Sequence, residues 1–177
     1  MVAINLSNLG IVELTVGMHT VFDIPNESIL FDVGHQCYVH KLLTGRYDTF
    51  DTIRKENGLS GFMSPSESEH DAFVSGHSSN SISAACGIAK ANTLMGNNNY
   101  VVPVVGDGAI TGGMTFEALN NSGRSKEKLI VILNDNKMSI SKNVGSLARH
   151  LTAIRTGRRY IHAKESLRTA VQKIPIV

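Results

Sequence analysis

Three short apolar runs, each giving way at once to glycine or a polar cluster, constrain this chain more than any other feature. Ser28–Val33 (SILFDV) runs into Gly34, residues 100–108 (YVVPVVGDG) end in a glycine-flanked aspartate, and Lys128–Leu133 (KLIVIL) runs into Asn134-Asp135-Asn136. Short β-branched and aliphatic runs bounded this way read as strands. Pro103 ordinarily counts against a central strand, because it cannot donate to a ladder. Helical stretches separate the runs. One extends from Ser78 to Met95 and stops at Gly96, with Ser78, Ser79 or Asn80 as N-cap, and residues 111–122 return to helix. Strand–helix–strand alternation predicts an α/β fold, a parallel sheet flanked by helices.

Ahead of this pattern, Ser7–Phe22 reads as a helix. Leu9, Val12, Glu13, Val16 and Thr20 trace helical spacing, with Ser7 or Asn8 as cap. Tyr38–Leu43 reads as a short helix ended by Gly45. Residues 55–76, rich in Gly, Ser and Glu, form a long connection, and such loops are commonly functional. The 177 residues predict a single domain or a piece of a larger one. With 42% apolar and 18% charged residues, disorder is excluded. The longest apolar runs, Val101–Val105 and Leu129–Leu133, are too short to cross a bilayer, and no secretory signal is visible. Cys37 and Cys86 make no disulfide framework; reduced thiols in a cytoplasm are the simpler expectation.

The net charge of +2 conceals a split. Residues 1–136 carry 8 Lys/Arg against 14 Asp/Glu, a net −6, whereas residues 137–177 carry 9 Lys/Arg and only Glu165, a net +8. A basic helical tail over 146–177 is therefore expected. Tyr160 is its lone aromatic, which argues against a stacking site for single strands, and solvated basic helix faces are the preferred reading. No nucleic-acid or membrane partner is expected.

In an open parallel sheet the carboxyl ends of the strands share one edge, and ligands bind there. Asp32–His35, Gly106-Asp107-Gly108 and Asn134–Asn136 all follow strands, so they converge on one rim. Asp107 offers a hard anionic oxygen, and glycines on both sides let backbone approach a phosphate. Asn136, 28 positions after Gly108, adds a neutral amide oxygen. Carboxylate, amide oxygen and ligand phosphates together are typical Mg²⁺ chemistry. Gly76-His77-Ser78-Ser79 opens the long small-residue helix, where free N–H groups suit an anion, although a plain helix cap explains the segment equally well.

Asp32, His35, Cys37 and His40 are four potential metal ligands, but no paired Cys-x2-Cys spacing supports a tetrahedral zinc site. His40 reads as a solvated helix residue. His35, directly after a strand, reads equally as ligand-facing or structural. The chain has no Gly-x-Ser-x-Gly elbow, Walker loop or dinucleotide Gly-x-Gly-x-x-Gly.

Ser7–Val16 (SNLGIVELTV), Asp32–His40 (DVGHQCYVH), Leu43–Arg46 (LTGR), Gly76–Ser83 (GHSSNSIS), Val105–Thr111 (VGDGAIT) and Ile132–Asn143 (ILNDNKMSISKN) together resemble the 1-deoxy-D-xylulose-5-phosphate synthase family. They cover most of residues 7–145, in family order and at family-like spacing. The resemblance implies the diphosphate-binding domain of a transketolase-like thiamin-diphosphate enzyme. Such an enzyme condenses pyruvate with D-glyceraldehyde 3-phosphate, releasing CO₂, in isoprenoid precursor biosynthesis; its full-length form is a cytoplasmic homodimer. By the same resemblance Mg²⁺ is held by Asp107, the Asn136 side chain and the Met138 carbonyl. Gly108 and Ala109 lie against the diphosphate, Gly76, His77 and Ser78 contact the cofactor, and His35 is the catalytic group facing cofactor or substrate.

Two departures qualify these expectations. The family has a Gly-Gly-His segment before the Ser-Asn-Leu-Gly stretch, where this chain reads Val2-Ala3-Ile4. Family members are also several times longer, and the glutamate that activates the aminopyrimidine lies in the part not represented here. The expectation is thus a single truncated diphosphate-binding domain over 1–177, inactive alone. Two other readings are a transketolase-like half-subunit and a non-catalytic cofactor-binding or assembly module.

Overall fold

The computed structural model describes residues 8–135, 153 and 157–172. The chain divides into a unit of residues 1–140 and a second of residues 141–177. In the first unit, β1 (Ser28–Phe31), β2 (Val101–Gly106) and β3 (Ile132–Asn134) form one parallel sheet in the order β1-β2-β3. Its register pairs Ile29 with Val102, Phe31 with Val104 and Val105 with Leu133. The expected α/β class is what the chain adopts.

Alternation along the strands sends side chains to opposite faces. Ile29, Phe31, Val102 and Val104 bury one face against Ile11 and Met18 of the first helical segment, against Cys37 and Tyr38, and against Met63. The helices on this face are α1 (Val12–Val21) and α2 (Tyr38–Leu43). Leu30 and Val101 meet Ala85 and Ala89 of α3 (Ser81–Leu94) on the opposite face. Small residues at 85 and 89 let that helix lie close to the sheet. α4 (Gly113–Ser122) packs against α3, and single turns of 3₁₀ helix occupy Phe50–Thr52 and Ala109–Thr111. Residues 53–80 contain no helix or strand, matching the long connection expected there. Gly45 and Gly96, at φ +86° and +75°, sit just past α2 and α3, where a left-handed residue ends a helix at no steric cost.

The expected strand over this run forms with Pro103 inside it, in the central position of the sheet, and the ladder shows how proline is accommodated. Val101 accepts from Ile130 N–H and donates to Lys128, so the odd-numbered residues of β2 address the third strand, whereas Val104 accepts from Asp32 N–H on the other side. The donor that Pro103 lacks therefore falls on the β3 side. There the pairing is a lone bridge, Val101 to Leu129, and the ladder resumes only at Val104–Ile132. The strand expected over Lys128–Leu133 is accordingly shortened to Ile132–Asn134.

Three further expectations are corrected. The stripe Leu9–Val12–Glu13–Val16–Thr20 is not the buried one: Leu9 and Val16 are 65% and 41% exposed, while Asn8, Ile11, Thr15 and Met18 are buried. Both sets have helical spacing, and contact with Ile29 and Phe31 selects the second. Asn8 does not cap that helix; its amide bonds to His35 and Tyr38 instead. His40 is fully buried rather than solvated.

His40 belongs to a buried cage of charge that holds the long connection. Arg46 donates both terminal nitrogens to Asp71 (2.7 and 2.8 Å), and Asp71 also accepts from Ser64 N–H (2.7 Å) and pairs with His40 Nε2 (3.0 Å). Lys41 donates to Glu67 (2.5 Å), whose other oxygen accepts from Ser60 N–H (2.6 Å). The Asp71 oxygen only accepts, so His40 Nε2 carries a proton. The hydrogen shared by His40 Nδ1 and His19 Nε2, 3.0 Å apart, then comes from His19. Burial alone would raise the Asp71 carboxyl, but hydrogen bonds from His40, Arg46 and Ser64 hold it well below the usual carboxylate range. Burial, then the charges of His40 and His70, pushes His19 down to about 4.

In the second unit α5 spans Arg158–Gln172, with Tyr160 and Ile161 both 45% exposed. Among the described residues no helix is long and apolar enough to cross a membrane.

Asp71→Ala should leave Arg46 and His40 buried without their carboxylate and destabilise the chain by about 3–5 kcal/mol, read from urea unfolding; a change below about 1 kcal/mol would contradict the cage. A second test uses pH. His19 binds its proton more tightly unfolded than folded, so stability is full above pH 6.5 and falls as pH drops towards about 4. His19→Gln, which keeps a donor for His40, should flatten the urea midpoint across that window, and an unchanged slope would count against His19 as the source.

Candidate functional site

The three parallel strands bring Asp32–His35, Gly106–Ala109 and Asn134-Asp135 to one sheet edge, as expected. Asp32, however, is structural. Its Oδ1 accepts from Ser79 N–H (2.8 Å), and its Oδ2 from Ser81 N–H (3.2 Å) and the Ser81 hydroxyl (2.6 Å). The cap of α3 thus arrives from 47 residues upstream. Asn80 occupies the N-cap position without a side-chain cap bond, and its Oδ1 accepts from Ser75 Oγ (3.0 Å). A carboxylate already faces the positive end of this helix, so the anion site expected there is shared with Asp32.

Gly76, His77 and Ser78 lie exposed on the segment entering α3. Ser79, left-handed at φ +73°, stitches that segment to the loop after β2: its hydroxyl donates to Ala109 O at 2.8 Å. Thr115 Oγ1 donates to the same carbonyl at 3.2 Å. Gly112 makes the contact possible, because a Cβ there would stand 2.0 Å from Ser79 Oγ. The Gly76–Ser78 and Gly108–Ala109 candidates are thereby brought together. Asp107 is half-buried between Gly106 and Gly108, and neither glycine has anything within 4 Å of where a Cβ would sit. The loop is bare on that side.

His35 is half-buried beyond the turn that follows β1, and its Nδ1 is buried without a partner. Burial and the Arg54 charge lower its pKa below the ordinary 6.5, against an opposing pull from Asp32. Arg54 donates to Tyr38 Oη (2.7 Å) and lies 5.0 Å over the Phe62 ring. At the end of β3, Asn134 Nδ2 is likewise buried and unpartnered. An unsatisfied buried polar atom costs about 1–3 kcal/mol; Thr15 Oγ1 and Arg46 Nε share this state in the interior, and His35 Nδ1 and Asn134 Nδ2 are the two at the ends of the strands flanking β2. Donors and acceptors of this kind, beside a carboxylate and a bare glycine loop, fit a phosphate-bearing cofactor with its divalent ion.

Asn136 and Met138 lie outside the described residues. Among the described residues no three His, Cys, Asp or Glu side chains group to hold a metal; the expected Mg²⁺ set includes one such side chain, Asp107. The four weighed for zinc diverge: Asp32 caps α3, His40 bonds Asp71, and burial pushes the Cys37 thiol up to about 12. Asn134 was read in the sequence as part of the Asn134–Asn136 cluster, and Ser79 as part of Gly76–Ser79 and a candidate N-cap, neither with a site role of its own. Asn134's position at a strand end was the available signal, whereas nothing local marks the bond from Ser79 to Ala109.

Residues 5–176 match the family described as 1-deoxy-D-xylulose-5-phosphate synthase. Proteins carrying that name from Syntrophomonas wolfei and Caldanaerobacter subterraneus subsp. tengcongensis are 55% and 57% identical, each over 96% of this chain and over 26% and 27% of their own lengths. One from Geobacillus sp. is 54% identical over 96% of this chain and 27% of its own. The chain spans about a quarter of the length of the curated relatives it matches.

Gly112→Ala should force Ser79 off Ala109 and cost about 1–3 kcal/mol in urea unfolding. Adding Ser79→Gly removes the clashing side chain and suits the left-handed backbone, so the double variant should regain part of that loss. A double variant less stable than Gly112→Ala would refute the contact.

Proposed function

The chain belongs to the 1-deoxy-D-xylulose-5-phosphate synthase family, and from that membership we propose that it supplies the diphosphate half of a thiamin-diphosphate site. The whole enzyme of which this is the corresponding part would be a transferase, condensing pyruvate with D-glyceraldehyde 3-phosphate as a cytoplasmic homodimer. Asp107, the Asn136 side chain and the Met138 carbonyl would hold Mg²⁺. Gly108 and Ala109 would lie against the diphosphate, with Gly76, His77 and Ser78 at its flank. The bound cofactor would supply the electron sink for decarboxylation.

The observation that carries this reading is the pair of buried, unpartnered atoms at the rim, His35 Nδ1 and Asn134 Nδ2. His35, held below its ordinary pKa by burial first and Arg54 second, would present an uncharged ring able to accept or donate a hydrogen bond near neutral pH. Asn134 would donate through its amide. Ser79 and Thr115 would act one step back, fixing the Ala109 carbonyl so that the neighbouring backbone keeps its place.

Calorimetry should give a binding signal only when Mg²⁺ and thiamin diphosphate are both present, and Asp107→Ala should weaken it at least about tenfold, or about 1.4 kcal/mol. Unchanged binding in that variant would refute the assignment. The 177-residue chain alone should not form the five-carbon sugar phosphate from pyruvate and glyceraldehyde 3-phosphate. No glutamate near the rim stands in for the aminopyrimidine activator; Glu117 is exposed on α4. Turnover abolished by Asp107→Ala would overturn that expectation.

A further inference from the structure

The turn between β1 and α2 is held against its own conformational preference, and one buried amide restrains it. Upstream, Asp32 is fixed by Ser79 and Ser81, and its N–H donates to Val104 O at 2.8 Å. The chain then passes through two consecutive left-handed residues, Val33 at φ +61° and Gly34 at φ +87°. Glycine adopts that region freely, whereas a β-branched residue there is an outlier that persists only when its surroundings over-determine it. Position 34 has close neighbours as well: a Cβ would lie 3.4 Å from Ser75 O and 3.5 Å from the Phe62 ring. Downstream, Asn8 donates from Nδ2 to His35 O at 2.8 Å and accepts at Oδ1 from Tyr38 N–H at 3.1 Å. Asn8 is only 6% exposed, so no water replaces these bonds easily. Between the two anchors stands His35, its Nδ1 buried and unpartnered.

We propose that Asn8 is a positioning residue for His35: its amide holds the strained Val33–Gly34 turn closed and so fixes where the imidazole is presented at the rim. The proposal rests on the reading of His35 as the ligand-facing group. A purely structural Asn8 would cap α2 through Tyr38 N–H and would be indifferent to residue 33. A positioning Asn8 is coupled to Val33, because strain at 33 is what the clamp opposes.

The test is NMR of the His35 Cε1–H resonance in the 177-residue chain, titrated from about pH 4 to 8, with His70 as internal reference and urea midpoints measured alongside. Asn8→Ala should displace the His35 resonance and raise its pKa towards 6.5 as the ring leaves its buried position. Val33→Gly alone should leave the resonance in place with no loss of urea midpoint. Combined with Asn8→Ala, it should return the resonance most of the way, because glycine holds the left-handed turn unaided. An undisplaced ring in Asn8→Ala, or a double variant as displaced as the single one, would overturn the proposal. If Asn8→Ala does not fold, Asn8→Asp keeps the acceptor for Tyr38, loses the donor to His35 and sets a carboxylate oxygen against the His35 carbonyl; it should displace the ring, and an unmoved resonance would be equally fatal. No arm contains cofactor, so the result stands apart from the calorimetric test of thiamin diphosphate binding.

Discussion

Asp32 accepts three hydrogen bonds from Ser79 and Ser81 while its own N–H stays in the ladder to Val104, and the placement of the rim follows from that lock. A charged acceptor with several donors forms the strong class of hydrogen bond, and burial removes the water that would otherwise compete. The end of β1 is thereby joined to the first turn of a helix on the sheet's face. Ser79, held in place, reaches Ala109, so the loop after β2 inherits its position from the residue after β1. Because the cap is tertiary, the start of α3 depends on a residue at the end of β1. Secondary and tertiary structure are therefore coupled at the same edge where the candidate site residues gather.

The opposite problem, a long connection with no ladder of its own, is solved by charge. Lys41 and Arg46 from α2 and its exit meet Glu67 and Asp71 from the connection, two cations against two anions. Bare burial of any one would be prohibitive. Together, with Ser60 and Ser64 N–H groups and His40 filling the remaining acceptor positions, they fix two points of a segment whose apolar anchors are Ile53, Met63, Ala72 and Phe73. Charge pairs of this kind are directional where hydrophobic contact is not. A segment that must deliver Gly76–Ser79 to a particular edge gains more from geometry than from added area.

What was legible in the sequence was local. The strand starting at Ser28, α2 over Tyr38–Leu43, the stops at Gly45 and Gly96 and the convergence on one edge all follow from short-range pattern and left-handed glycine. What was not legible depended on residues far apart. Nothing near Ser81 announces that Asp32 will cap it, and nothing near His40 announces Asp71. The phase of the first helix was set by Ile29 and Phe31, not by its own periodicity. Pro103 counted against the strand without overturning it, and a ladder has two sides. Its missing donor fell on the side where the third strand is already broken. For the candidate site the motif positions were readable, but the division of labour among them was not.

That division is the last step. Polar residues at the rim fall into two groups by what they touch. Asp32, Ser79, Ser81, Thr115 and Asn8 direct their side chains to other parts of the chain. His35 Nδ1 and Asn134 Nδ2 are buried and have no hydrogen-bond partner among the described residues. Folding alone selects against the second kind, since each such atom gives up its water for no return. Their retention at the ends of the two strands flanking β2, beside a glycine loop with open space over its backbone, is explained when the missing partner is a ligand. The saturated groups then have a purpose beyond stability. A donor aimed at a ligand is useful only if its backbone cannot relax towards some internal acceptor, and the bonds of Asp32, Ser79 and Asn8 are what deny it that relaxation.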